Sequence, residues 1–254
     1  MPAPDLMTAE QTLTGRITTA SNATFLGSIS DSAVVTKPLA GEKPLWDLPD
    51  GCLAHREVAT YVASEALDWN MVPRTWLRDG PLGEGMVHLW QETDPEQNAV
   101  DLVSVEDVPD SGWKLVLEGE DQAGRIVALI HEDTPALRRM AAFDVVFNNA
   151  DRKGDHVLAL ADGHRYGVDR SLTFHGDHKL RTALWGWIGE ALSAEELGAL
   201  SVFFRGWRAS SARTWWSCSL PEDRTTHCSL CPVAFHGAIP PPRSEMPGVP
   251  WPLF

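Results

Sequence analysis

The sequence predicts an α+β protein of two lobes, a small β-rich N-lobe followed by a mainly helical C-lobe that carries a short functional hairpin. Three observations predict it. Runs of alternating apolar and polar residues, rich in β-branched side chains, crowd positions 12–91. Within them only one stretch has helical spacing. Beyond position 125 the pattern turns helical, broken by one Asp-Gly pair between two apolar runs.

Taken in order, residues 1–11 read as a disordered lead, rich in small and polar residues. LTGRI, FLGSI and AVVTKPL then read as three strands, separated by the polar turn TTASNAT and by a second turn at Asp31-Ser32. GEKPLWDLPDG is a loop, because Gly and Pro break both regular patterns. LAHREVATYVASEAL, from Leu53 to Leu67, has apolar positions at helical spacing and strong helix formers throughout. Val72–Leu77 and Gly85–Gln91 return to strand patterning and complete an N-lobe over 12–92. The acidic, turn-rich stretch 93–125 reads as a connector, opening a second unit over 93–238. Leu137–Asn148 reads as a helix that runs into the polar loop DRKGDH; VLAL and RYGVD flank the Asp162-Gly163 turn as a hairpin. LRTALWGWIGEAL reads as a further helical stretch, and Ser193-Ala-Glu-Glu196 has the form of a capping box at the start of another helix. The tail 239–254 is too rich in Pro for regular structure and is expected to lie extended along the surface.

Composition bounds the function. At 254 residues the chain can bury one substantial core or enclose a cleft between two lobes. A net charge of −14 argues against nucleic-acid binding and against tight docking on an anionic membrane. No apolar run approaches the roughly 20 residues that cross a bilayer, and the N-terminus lacks the basic start and apolar core of a secretory signal. The expected compartment is the cytoplasm. Eleven Trp are spread along the chain and read mainly as packing.

The stretch FDVVFNNADRKGDHVLALADGHRYGVDRSLTFH, residues 143–175, is the most informative. Asp151 opens a polar loop, His156 follows five positions on, and Asp169 ends the hairpin eighteen positions after Asp151. A carboxylate on a tight loop, a metal-capable side chain and a second carboxylate are the parts that orient a hydroxyl and hold Mg²⁺ against phosphates. The loop resembles the D-R-x-x-x-N element of the phosphatidylinositol 3-/4-kinase-like superfamily of atypical kinases, and YGVD resembles its second metal motif. HREVA at 55–59 resembles the helix segment of the bacterial members. Ser21-Asn22-x-Thr24-Phe25 resembles the superfamily's phosphate-covering turn, and PGVPWPLF resembles the ending of an uncharacterised bacterial branch. The resemblance covers roughly residues 12–205 and this tail.

That resemblance implies a two-lobed, protein-kinase-like fold with ATP in the cleft. Lys37 would hold the α- and β-phosphates, and Glu57 on the following helix would fix Lys37 in place. Ser21, Asn22 and Thr24 would cradle phosphate, and the backbone of Trp90, Gln91 and Glu92 would meet the base. Asp151 would take or orient the proton of the attacking hydroxyl, with Arg152 bracing the loop or neutralising phosphate charge. Asp169 would hold Mg²⁺. His156 departs from the pattern, which has Asn there. Imidazole suits Mg²⁺ less well than an amide oxygen and suits Mn²⁺ better. Three functions follow: an ATP- and Mg²⁺-dependent phosphotransferase with an unknown acceptor (lipid, protein or small molecule), a pseudokinase serving as a nucleotide-binding or interaction module, or an AMP-transferring enzyme.

Cys218, Cys228 and Cys231, with His227 and His236, offer ligand types for zinc at an irregular spacing; the bland reading of 208–236 is a divergent segment.

Overall fold

A computed structural model describes residues 6–43, 45, 53–175, 177–209, 239 and 248–250. Five antiparallel strands open the chain: β1 (Gln11–Arg16), β2 (Phe25–Ile29), β3 (Ser32–Pro38), β4 (Thr75–Gly80) and β5 (Gly83–Leu89), in the spatial order β1-β2-β3-β5-β4. β4 starts later than the apolar run at Val72 suggests, because Pro73 has no N–H for a ladder. β3 is interior, and its period of two sorts the sheet into faces. Val34 joins Ile29, Trp76 and Val87 on one side, while Val35 and Lys37, opposite His88 and Met86, turn to the other. The first face is closed by Leu6, whose carbonyl accepts from Arg78 Nη1 at 2.9 Å. Residues 6–11 therefore pack on the sheet and enter β1, where the sequence suggested disorder; residues 1–5 lie outside the described residues.

Helix α1 (Leu53–Ala66) covers the second face, packing Ala54 and Val58 on Met86. Its first turn is capped from a distance: the Glu42 carboxylate accepts from Leu53 N–H at 3.1 Å and Ala54 N–H at 2.7 Å, satisfying donors that a helix start leaves orphaned. The buried Arg56 of α1 donates to the carbonyls of Thr173 and Phe174, tying the helix to the second half of the chain.

The stretch read as an acidic connector contains most of a second sheet. β6 (Val100–Ser104), β7 (Trp113–Glu120) and β8 (Ile126–Glu132) pair antiparallel in the order β6-β8-β7. Its edge strands are largely solvated, and β7 carries a bulge at Leu115/Leu117, so burial in this sheet is confined to Val100 and the centre of β8. Helix α2 (Pro135–Val146) has Thr134 as N-cap and Pro135 in its first turn. Leu137, Met140, Ala141 and Phe143 of α2 form the middle of the main core. The expected hairpin follows as β9 (Val157–Ala159) and β10 (Arg165–Gly167), with Gly163 supplying the positive φ of the turn. Helix α3 (Ala194–Ala209) begins with a reciprocal cap: Ser193 N–H donates to Glu196 Oε2 at 2.7 Å and Glu196 N–H to Ser193 Oγ at 3.1 Å.

Residues 180–192, expected to be helical, form turns instead. Their backbone groups are drawn off elsewhere: Arg181 N–H donates to Asn149 O, and Thr182 N–H to Gly248 O. Gly189 takes a positive φ, and a Cβ on Gly186 would strike His131 and Lys114. Ile239 exchanges hydrogen bonds with the 189–190 turn and is buried. The described residues thus form an α+β molecule with a β-rich N-terminal part. Among the described residues beyond position 92, strands β6–β10 stand beside helices α2 and α3, so strand and helix share that part of the chain where the sequence suggested mainly helix.

One buried cluster joins these pieces. The Asp144 carboxylate, fully enclosed, accepts from Arg152 Nε at 2.9 Å and Nη2 at 3.1 Å, from Asn149 Nδ2 at 2.9 Å and from Thr182 Oγ1 at 3.2 Å. Arg170 Nη1 lies 3.5 Å away, its guanidinium over the Phe143 ring. Helix α2, the polar loop, the hairpin end and the 180–184 turns all meet at one carboxylate. Replacing it strands two buried cations, so Asp144→Ala is expected to cost about 3–5 kcal/mol in denaturant titration. A loss below about 1 kcal/mol would contradict this account.

Candidate functional site

A cavity of about 340 Å³ lies between the inner face of the five-stranded sheet and the β9–β10 hairpin. Ile17, Ala20, Thr24, Val35, Lys37 and His88 line it from one side, and Leu158, Val168 and Asp169 from the other. Lys37 reaches it because the period of β3 turns positions 35 and 37 inward. Its Nζ lies 2.6 Å from Glu57 Oε1 on α1 and 2.8 Å from Asp169 Oδ1. Burial acts against the charge on Lys37, and the carboxylates of Asp169 and Glu57 more than offset it, holding the pKa above the ordinary lysine value. The Lys37 ammonium in turn holds Asp169 far below the usual carboxylate range. Glu57 is lifted by its own burial, with Lys37 opposing.

Asp169 occupies the left-handed region at φ 50°, a conformation that costs a non-glycine residue energy unless its surroundings enforce it. Those surroundings are firm. Gly167 N–H donates to Met71 O at 2.8 Å and Val168 N–H to His156 O at 2.9 Å. Any Cβ on Gly167 would lie 2.0 Å from Arg170 Nη2, so only glycine lets that guanidinium pass toward Asp144.

The loop 148–156 is braced at both ends. Asn148, also at positive φ, donates to the carbonyls of His175 and Asp177, while Asn149 Oδ1 accepts from Asp151 N–H at 3.2 Å. Burial raises the Asp151 carboxyl, with Lys153 and His156 opposing. His156 is buried, and its Nδ1 lies 2.9 Å from Asp151 O. A carbonyl only accepts, so Nδ1 carries the proton and Nε2 presents a lone pair. Burial lowers the pKa of this ring, which keeps it neutral. Its Nε2 stands 3.6 Å from Asp169 Oδ2 and 3.7 Å from Asp155 Oδ1. Lys37, Glu57 and Asp169 are thus in direct contact, and Asp151 joins them through His156. Arg152 is a buried brace rather than a phosphate ligand.

The phosphate-turn residues divide. Thr24 lines the cavity, its hydroxyl donating to Asn22 O at 3.2 Å. Asn22 instead holds the turn by accepting from Lys43 N–H, and Ser21 points to solvent; neither is on the cavity wall. Ala20 and Ile17 take their places there. Trp90 and Gln91 line the opposite end, whereas Glu92 lies off the wall and accepts from Trp90 Nε1 at 2.8 Å. Two residues near the site carry no side-chain role in the sequence reading, where His88 only opens the stretch 88–92 expected to meet the base and Lys153 has no role. His88 lines the cavity, and burial lowers its pKa to about 4. Lys153 lies near enough to draw both Asp151 and Asp169 downward, with no ion pair of its own among the described residues. Alternation in MVHLW already put His88 on the Lys37 face, but nothing local marks it as different from a core histidine. Cys218, Cys228, Cys231 and their histidines lie outside the described residues. Among the described residues no group of three or more His, Cys, Asp or Glu is arranged to hold a metal ion. None of the described helices is long and apolar enough to cross a membrane.

No family model matches this chain. It is 46% identical over 209 residues to Protein Rv2133c of Mycobacterium tuberculosis, a match covering 77% of this chain and 75% of that protein. Among solved structures it is similar to the Helicobacter pylori proinflammatory kinase CtkA at a TM-score of 0.36 and 14% identity. That match covers 68% of this chain and 62% of the other, so the chain spans less than two thirds of that neighbour.

The low pKa of His88 has a consequence for stability. The unfolded chain binds a proton at the ordinary histidine value of 6.5, while the folded ring resists protonation until about 4. Stability from this group is complete above 6.5 and falls as pH drops toward about 4. Urea unfolding at about pH 7 and about pH 4.5 should show a steeper acid loss for wild type than for His88→Leu; equal slopes would refute the assignment.

Proposed function

The chain belongs to the same family as the mycobacterial protein Rv2133c, and we propose that it is an ATP- and Mg²⁺-dependent phosphotransferase of kinase-like, two-lobed design. The observation that carries this reading is the Lys37 ammonium held between Glu57 at 2.6 Å and Asp169 at 2.8 Å on the wall of a cavity of nucleotide size. A cation fixed by one buried carboxylate is the anchor that α- and β-phosphates require, and the second carboxylate is in place to receive a phosphate-bound ion. Residues 12–92 would form one wall and the hairpin region of 93–238 the other.

In this reading the acceptor hydroxyl stands against Asp151. Its oxygen attacks the γ-phosphorus, its proton passes to the Asp151 carboxylate, and the bond to the β–γ bridging oxygen breaks to release ADP. The raised pKa of Asp151 suits a group that must take up a proton during transfer. Lys153 would face the transferred phosphoryl group. A lone pair on His156 Nε2 and an Asp169 oxygen, 3.6 Å apart with no proton between them, fit a divalent cation. Such an ion would neutralise charge on the phosphates, which with water would complete its coordination, so two protein ligands suffice. The imidazole favours a second reading, a pseudokinase that binds nucleotide without turning it over.

Calorimetry with ATP and Mg²⁺ separates the roles. Asp169→Ala should weaken metal-dependent binding on the order of 10–100-fold. Asp151→Ala should keep binding and lose on the order of 100-fold in ATP turnover. Equal losses of binding in both variants would mean the roles are misassigned.

His156→Asn supplies an amide oxygen in place of imidazole and should raise Mg²⁺-supported turnover while preserving nucleotide binding. Wild type should meanwhile work better with Mn²⁺ than with Mg²⁺. A wild type inert with both metals, beside a variant that turns over, would establish the pseudokinase.

A further inference from the structure

The cavity end remote from Lys37 carries a group that phosphate binding does not use. His88 sits in β5 opposite Val35, as Met86 sits opposite Lys37. Two residues along a strand is about 7 Å, so His88 lies beyond the phosphate anchor, next to Trp90 and Gln91 on the same wall. Its Nδ1 is 3.0 Å from Leu89 O. The carbonyl can only accept, so Nδ1 is the protonated nitrogen and Nε2 presents a lone pair. Among the described residues that Nε2 has no hydrogen-bond partner, and the ring faces the cavity.

We propose that His88 reads the base of the bound nucleotide, its Nε2 accepting a hydrogen bond from the 6-amino group of adenine. This rests on the nucleotide reading of the cavity. The amino group lies at the edge of the purine away from the sugar, the edge that would point past Lys37 toward Trp90. A base with a keto oxygen at that position would set acceptor against acceptor. Burial of the ring and the nearby Lys37 ammonium work against its protonation, so the imidazole cannot readily turn donor to accommodate the keto group. The indole of Trp90 lines the same end and offers a face for the base.

The test is calorimetric titration of the full chain with ATP, ITP, GTP and inorganic tripolyphosphate, each with Mg²⁺. ITP differs from ATP in carrying a keto group at the 6-position. Wild type is expected to bind ATP on the order of tenfold more tightly than ITP or GTP. In His88→Leu that preference should fall below about twofold, with tripolyphosphate binding unchanged. Nitrogen NMR of the imidazole provides a readout without substitution: the Nε2 signal should shift on adding ATP and stay still on adding tripolyphosphate. Equal affinity for ATP and ITP, or an Nε2 signal that ATP does not move, overturns the role of His88 and leaves the nucleotide site standing. Failure of all four ligands to bind overturns the nucleotide site and the base reading together.

Discussion

The carboxylate of Asp144 is the point on which the architecture turns. It is sealed from water with two guanidiniums, an amide and a hydroxyl directed at it, contributed by the loop 149–152, by Arg170 and by Thr182. A buried ion is stabilised only when geometry and hydrogen bonding are nearly complete, so the cluster tolerates few alternative arrangements. It dictates where loop 149–152 runs relative to α2, and through Arg170 it dictates where the chain goes after Asp169. The requirement for glycine at 167 follows from the same cluster, since the guanidinium must pass over that backbone. The carboxylates of Asp151 and Asp169 are thus positioned by an interaction in which neither takes part.

The opposite wall obeys a simpler constraint. Strand period alone places Lys37, Val35 and His88 on one face, and α1 covers the Lys37 end because its small and apolar residues fit Met86. Glu57 is then held beneath the lysine, and Arg56, one position earlier, fastens the same helix to the carbonyls at 173–174. Adjacent residues of one helix serve both sides of the cavity. A shift of α1 would therefore disturb the ion pair and the loop after Asp169 together.

Legibility in the sequence followed the range of the forces involved. Strands β1–β3, helix α1, the hairpin and the Ser193 cap were readable because alternation, helical spacing, an Asp-Gly turn and a capping box are local signals. Lys37, Glu57 and Asp169 were readable as candidates from their order along the chain. The sheet β6–β8 was hidden because its edge strands are solvated and acidic, which in sequence resembles a connector. Residues 180–192 misled in the other direction. Their apolar spacing is helical, but their backbone donors are claimed by Asn149 and Gly248, a long-range competition that no window of sequence contains. Asp144 was legible only in part, since a charged residue on an apolar helix announces a partner without naming it. Ser21 and Asn22 lie off the cavity wall for a related reason: the Asn22 side chain serves the backbone at Lys43.

The backbone bond between Thr182 and Gly248 also bears on the order in which the molecule matures. Thr182 braces Asp144 with its hydroxyl while its amide is held by a residue near the far end of the sequence. During synthesis the chain leaves the ribosome from its N-terminus, so the strands, α1 and the polar loop emerge well before residues 239 and 248 do. Throughout that interval the 181–183 segment lacks its outer partner, and the loop bearing Asp151 rests on an incomplete support. The late arrival of Gly248 closes the last backbone contact of the series. A nascent polypeptide therefore holds Lys37 against Glu57 before the loop that bears Asp151 is fully secured.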